Sequence, residues 1–268
     1  MLESVPGIPE RQVFESMQSR HLTALLIFVT FTAIIGEELP RYKEATELFQ
    51  QGKYEASLDA IRSVFDDYKS SYEFRMLAAA DYLEKGEFDN AVSHLQYCMK
   101  DHPDRAEPHA LLAAVYRKAG NPGKALNHIR NVLKKFPDSV PLRMETALAY
   151  AALGNAGAAR THIQKVLSIN PNHFGAIYLD GLLYLKAGDL ENAEFRLRNA
   201  ARLGTPDPQL KFALLNNLGL TLSLLAERSD GQRKESYLSR ARQYLQQAAQ
   251  INPGHPALKA NMARLPSI

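Results

Sequence analysis

His94, His128 and His162 recur every 34 residues, a spacing at which imidazoles on successive elements would make a metal-binding or proton-responsive stripe. Neighbouring helices pack roughly 8–10 Å apart, too far for three such rings to converge on one ion. The same position holds Ala60, Arg196 and Tyr244 elsewhere in the chain. It therefore reads as a half-exposed position that accepts a polar aromatic. The single thiol, Cys98, aligns with Val64, Val132, Val166, Ala200 and Ala248, so it is expected in the core. One cysteine makes no internal disulfide. The sequence holds no glycine-rich phosphate loop, no G-x-S-x-G, no H-E-x-x-H and no paired-cysteine spacing, the patterns that carry common hydrolytic, phosphoryl-transfer and zinc chemistry. No catalytic residue, metal or cofactor is expected.

The elements that would carry these residues follow the same period. Gly52, Gly86, Gly120, Gly154 and Gly188 fall 34 apart, in step with Tyr82, Tyr116, Tyr150 and Tyr184. Ala91, Ala125, Ala159 and Ala193 form a third ladder, and Pro103, Pro137 and Pro171 a fourth. A fixed period over most of a chain means units that each bury an apolar face against the next. In residues 106–139, Ala106 to Ala119 carries apolar residues at helical spacing and stops at Gly120, where glycine takes the left-handed conformation at little steric cost. Asn121 is placed to cap a second helix, with Pro122 in its first turn. That helix carries Ala125, Ile129 and Val132, and it ends before Phe136-Pro137 because proline drives its predecessor out of the helical region. Each unit is two antiparallel helices.

Period, helix-turn-helix phase, the small residue early in the second helix and the terminal proline together resemble the tetratricopeptide repeat family. The resemblance implies an all-α fold, a right-handed α-solenoid of about six units and a C-terminal capping helix. Clean copies span 72–105, 106–139 and 140–173, with 174–207 close behind, where Thr205 stands in place of the proline. Residues 38–71 form a degenerate copy in which Leu48, Ser57 and Lys69 replace the tyrosine, alanine and proline. A sixth copy, 212–253, carries extra residues around Ala226–Ser236. Residues 256–265 place Leu258, Met262 and Leu265 on one face of the capping helix.

Residues 1–36 precede the array (37–268). Leu22 to Ile35 is uncharged, follows Arg20-His21 and precedes Gly36. At fourteen residues it is shorter than the roughly twenty a membrane span needs, and it fits the apolar core of a secretory signal. An uncleaved signal anchor is the alternative, and Met17 would give a more typical start. The expected location is exported and periplasmic, or membrane-anchored by 22–35, with no other membrane contact. A net charge of +3 with no long basic run argues against a nucleic-acid partner.

Helical geometry turns His109, Leu112, Ala113 and Tyr116 toward the partner helix, and Ala110, Ala114 and Arg117 to the opposite flank. First-helix residues on that flank line the inner wall in proteins that look like this one. Here the flank offers Met76, Leu83, Ala110, Arg117, Met144, Leu148, Tyr178, Leu182, Leu185 and Leu220. The basic clamp with which some family members hold acidic tails is absent, so the resemblance implies a protein or peptide ligand with apolar anchors. Arg117, Lys118 and Lys186 are placed to steer an acidic segment at the rim. The expected function is a non-catalytic interaction scaffold in envelope assembly, secretion or pilus-type machinery. A membrane-tethered adaptor, or a regulatory or targeting subunit of an enzyme complex that uses the charged Glu227–Glu235 stretch, is the alternative.

Overall fold

A computed structural model of the chain describes Ile8, Pro9, Gln12, Val13, Ser16 and residues 40–63 and 71–266. Met17, the apolar run Leu22–Ile35, Gly36 and Lys69 lie outside the described residues. Among the described residues the regular structure is entirely helical. Six antiparallel pairs follow one another: α1 (Pro40–Gln50) with α2 (Tyr54–Arg62), α3 (Tyr72–Lys85) with α4 (Phe88–Asp101), α5 (Glu107–Lys118) with α6 (Pro122–Lys135), α7 (Val140–Ala152) with α8 (Ala156–Ile169), α9 (Phe174–Lys186) with α10 (Leu190–Leu203), and α11 (Pro208–Glu227) with α12 (Gly231–Ile251). A short α13 (Pro256–Met262) closes the series. The fold is an all-α solenoid. It divides into two compact units, Thr23–His162 and Met1–Leu22 with Ile163–Ile268.

The turn inside each of the first five pairs has one cause. Gly52, Gly86, Gly120, Gly154 and Gly188 all hold φ between 74° and 81°. After α5, Gly120 N–H donates to Arg117 O (3.0 Å) and Asn121 N–H to Tyr116 O (2.8 Å). This double bond pattern satisfies helix-end carbonyls that would otherwise be orphaned. The tyrosine ladder supplies the outer acceptor each time: Tyr82, Tyr116, Tyr150 and Tyr184 receive Glu87, Asn121, Asn155 and Asp189. Asn121 stands at the N-cap of α6, but its side chain donates to Ala119 O (3.1 Å) instead of capping.

Close approach of the paired helices rests on small residues. Ala91, Ala125, Ala159 and Ala193 are all buried. On the first helices the matching small residues are Ala79, Ala113, Ala147 and Gly181, with Gly219 in the sixth pair. A Cβ added at Gly181 would lie 2.8 Å from Leu197 Cδ2 and 3.2 Å from its backbone nitrogen, and one at Gly219 would lie 2.5 Å from Leu245 Cγ. In the Thr23–His162 unit one core joins Phe49, Leu58, Phe74, Leu77, Leu95 and Cys98. A second joins Ala113, Ile129, Leu142 and Ala149. Burying each of the larger aliphatics contributes about 1.5–3 kcal/mol. Cys98 is buried, as its alignment with valine and alanine implied, and burial pushes its thiol up to about 12.

Three features differ from the sequence reading. The extra residues of the sixth pair lengthen its helices to 20 and 21 residues and leave only Arg228–Asp230 as the turn. The Glu227–Glu235 stretch is therefore mostly helix rather than a loop. Met262 is 40% exposed, and Leu258 and Asn261 are the buried residues of α13. The degeneracy of the first pair is a polar substitution made in two places. Ser57, in the alanine position, lies 2.8 Å from Asp81 Oδ2 and 2.9 Å from Ala45 O. Asp81 stands where later copies carry Val115, Ala149 and Leu183. Burial pushes its carboxyl up to about 8, against the lowering effect of the Ser57 hydroxyl.

Gly120→Ala should cost roughly 1–2 kcal/mol, because alanine resists the left-handed region. Gly123→Ala, where a Cβ meets nothing within 4 Å, should gain about 0.4–1 kcal/mol; urea melts of the two variants check both signs. Asp81 binds its proton more tightly folded than unfolded, so its contribution is intact below about pH 4 and lost as pH rises toward about 8. Asp81→Asn should therefore raise Tm over the parent at pH 8 and change it little at pH 4.

Candidate functional site

The wall residues can be placed one unit at a time. In the Thr23–His162 unit, Met76 and Leu83 lie on α3, Ala110 and Arg117 on α5, and Met144 and Leu148 on α7. All six are at most 3% exposed. In the other unit Tyr178, Leu182 and Leu185 on α9 and Leu220 on α11 are fully buried. These first-helix flanks are covered rather than open.

The rim assignment of Arg117 and Lys118 is corrected. Arg117 Nε donates to Glu145 Oε2 (3.0 Å) and Nη2 to Oε1 (3.3 Å), with both side chains at or below 1% exposure. A charge removed from water must find a partner of this kind, because desolvation otherwise costs several kcal/mol. Lys118 Nζ donates to Glu84 (2.6 Å), one period back, and burial holds its ammonium below the usual lysine range. Neither cation is available for steering.

The histidine ladder has a packing explanation. His94 and His162 stack on Tyr82 and Tyr150 of their own pairs, with ring centroids 5.6 and 5.8 Å apart. His128 meets Tyr116 edge-on at 6.1 Å and lies 3.2 Å from His109 Nδ1 through Nε2. A further ladder, Arg75, His109 and Arg143, stands one period apart on the first helices. Burial first, and then these cations, hold His94 at about 4 and lower His162; burial and His109 hold His128 at about 4. Where Arg196 takes the histidine position, Asp180 answers it at 2.9 Å. Among the described residues no three His, Cys, Asp or Glu side chains gather closely enough to hold a metal ion.

The polar groups that bear on recognition lie on the wall of the second unit. Asn216 and Asn217 interrupt the leucine-rich face of α11, and Asn261 projects from α13. Asn217 is fully buried. Its Nδ2 donates to Tyr178 OH (3.1 Å) and to Ser16 Oγ (2.9 Å), and its Oδ1 accepts from Gln12 Nε2 (2.8 Å). Asn261 Nδ2 donates to Asn216 Oδ1 (3.0 Å) and to Gln12 Oε1 (3.4 Å). Burial pushes the Tyr178 phenol up to about 12. Gln12, Val13 and Ser16 are helical, Val13 N–H donating to Pro9 O at 3.2 Å. The wall thus holds a turn of helix from the other end of the sequence. The apolar wall positions expected from the sequence left out Asn217 and Asn261. Two adjacent amides inside an apolar helix were the available signal. Elsewhere in this unit, Arg198, Arg202, Lys211, Leu214, Tyr244 and Gln247 edge a cleft of about 300 Å³. No described helix is long and apolar enough to cross a membrane.

Two family models, both described as tetratricopeptide repeat, match the chain. One covers residues 82–142 and 116–178, and the other 42–107. No curated protein matches. Among solved structures, a tetratricopeptide repeat protein from Parabacteroides merdae superposes with a TM-score of 0.61 at 16% identity, over 95% of this chain and 99% of its own. PilW, described as a widely conserved type IV pilus biogenesis factor, gives 0.59 at 15% identity, over 83% of this chain and 96% of its own. Pseudomonas aeruginosa pilF gives 0.58 at 14%, over 84% and 96%. At these identities the likeness is one of fold.

Unfolded histidine titrates near 6.5, and the ladder is held below that value when folded. The unfolded chain therefore binds more protons below about pH 6.5, and stability should fall from there toward about pH 4. Thermal melts between pH 7.5 and 4.5 should show this loss, with a shallower slope for a His94→Phe, His128→Phe chain.

Proposed function

The chain belongs to the tetratricopeptide repeat family, and from that premise we propose that it is a scaffold taking an amphipathic helix of a protein partner on the first-helix wall. Proteins of this family are generally non-catalytic interaction scaffolds. The observation that supports a helical ligand is the turn containing Gln12, Val13 and Ser16, seated on Tyr178 and Asn217. A helix laid into a groove is held by apolar anchors at helical spacing, and Tyr178, Leu182, Leu185 and Leu220 supply the apolar counterpart.

The setting we propose is envelope assembly, secretion or pilus-type machinery. The likeness of fold to PilW supports it.

A diazirine leucine analogue at Leu182, irradiated in cells, tests this reading. A partner protein should be captured, with the crosslink mapped to one helix of it, and capture should be lost in a Leu220→Glu chain that keeps its helical signal. Crosslinks confined to the chain itself, in both the natural sequence and a Val13→Asp sequence, would remove the reading.

A further inference from the structure

Asn217 has two N–H donors and one carbonyl acceptor, and all three are used. One donor goes to Tyr178 within the array, while the other donor and the acceptor go to Ser16 and Gln12. Gln12 is read from both sides: its Nε2 donates to Asn217 Oδ1, and its Oε1 accepts from Asn261 Nδ2. A carboxylate in its place would set an acceptor against the Asn217 carbonyl, so the pair of asparagines selects an amide. Between the two polar residues Val13 is fully buried, and Ile8 is 8% exposed. At about 100° per residue, Gln12, Val13 and Ser16 share one helical face.

Such a contact is suited to exchange. A dry interface of leucines gains nothing from water when it opens, whereas amides and hydroxyls that part can be solvated again. The residues joined are 201 to 249 positions apart in sequence, so nothing local holds the turn in place. Tethering does the work instead: a segment on the same chain meets its site at an effective concentration on the order of millimolar. A free helix at micromolar concentration is excluded while the tethered turn is seated.

We infer that Asn216, Asn217, Asn261 and Tyr178 form a docking site for an amphipathic helix bearing glutamine, a β-branched aliphatic one residue later and a small hydroxyl four residues later. The chain's own Gln12–Ser16 turn fills this site until a partner helix of that pattern displaces it. The inference rests on the helix-binding reading of the wall and adds to it the sequence of the ligand and a built-in competitor.

The test uses the full chain and a fluorescein-labelled synthetic peptide of residues 5–20, read by anisotropy. The Val13→Asp chain, whose own turn is unseated, should bind the peptide at least tenfold more tightly than the natural chain. The Gln12→Glu form of the peptide should bind that open chain at least tenfold more weakly. Asn217→Ala in the open chain should abolish binding. Circular dichroism melts confirm folding, and Gln12→Ala serves as a second way to unseat the turn. Equal binding to the natural and open chains would overturn the self-capping inference and leave the helix-binding wall standing. Binding to neither would remove both. Peptide binding accompanied by a concentration-dependent dimer of the natural chain would place the occupant on a second copy and overturn docking within one chain.

Discussion

In the first five pairs a glycine in the left-handed region at the end of the first helix reverses the chain, and the rest of the molecule depends on that reversal. Without it the second helix cannot fold back on the first, and neither apolar stripe finds a partner. Two of the carbonyls left over at the helix end are answered by the next two N–H groups. Small residues on both helices then set how closely the pair can approach. Gly181 and Gly219 mark the closest points, where even a methyl group would strike a leucine. Local backbone geometry and tight packing are thereby fixed by a handful of positions in each 34-residue unit.

The remaining freedom lies in the polar groups, and they explain where function departs from fold. Repeat packing needs only apolar residues, yet Asp81, Arg117, Glu145 and Asn217 are buried. Each is costly unless answered. Asp81 is answered by Ser57 together with a raised pKa, and Arg117 by a two-point ion pair. Asn217 differs in kind, because two of its three partners come from outside the helical pairs. A buried amide that relies on a distant segment is a recognition element rather than a packing element.

Much of the fold was legible because it is periodic. Glycine, tyrosine and alanine ladders report local events within a few residues of one another, and helix pairing follows directly. The histidine ladder was legible as a position but not as a contact, since the tyrosine and arginine ladders facing it belong to the other helix of each pair. Arg117 and Lys118 were misplaced because a helical wheel assigns a direction without knowing what stands there. Glu145 and Glu84 lie on adjacent pairs, and burial converts two supposed rim charges into internal ties. The docking of Gln12 and Ser16 had no local trace at all. It joins opposite ends of the sequence, and only the two asparagines in a leucine-rich helix hinted that something polar was awaited.

The ion and hydroxyl pairs of the Thr23–His162 unit have one more consequence. Ser57 with Asp81 joins the first pair to the second, Glu84 with Lys118 the second to the third, and Arg117 with Glu145 the third to the fourth. Each junction carries a different chemistry on an otherwise shared apolar template. The template alone would let any unit stack on any other, as identical bricks do. These unlike pairs make the bricks keyed: a shuffled or deleted unit would strand a carboxyl or a guanidinium inside a new joint. The serial order of the first four pairs is thus written in three polar contacts, and a misassembly among them during folding would meet that mismatch at its first wrong joint.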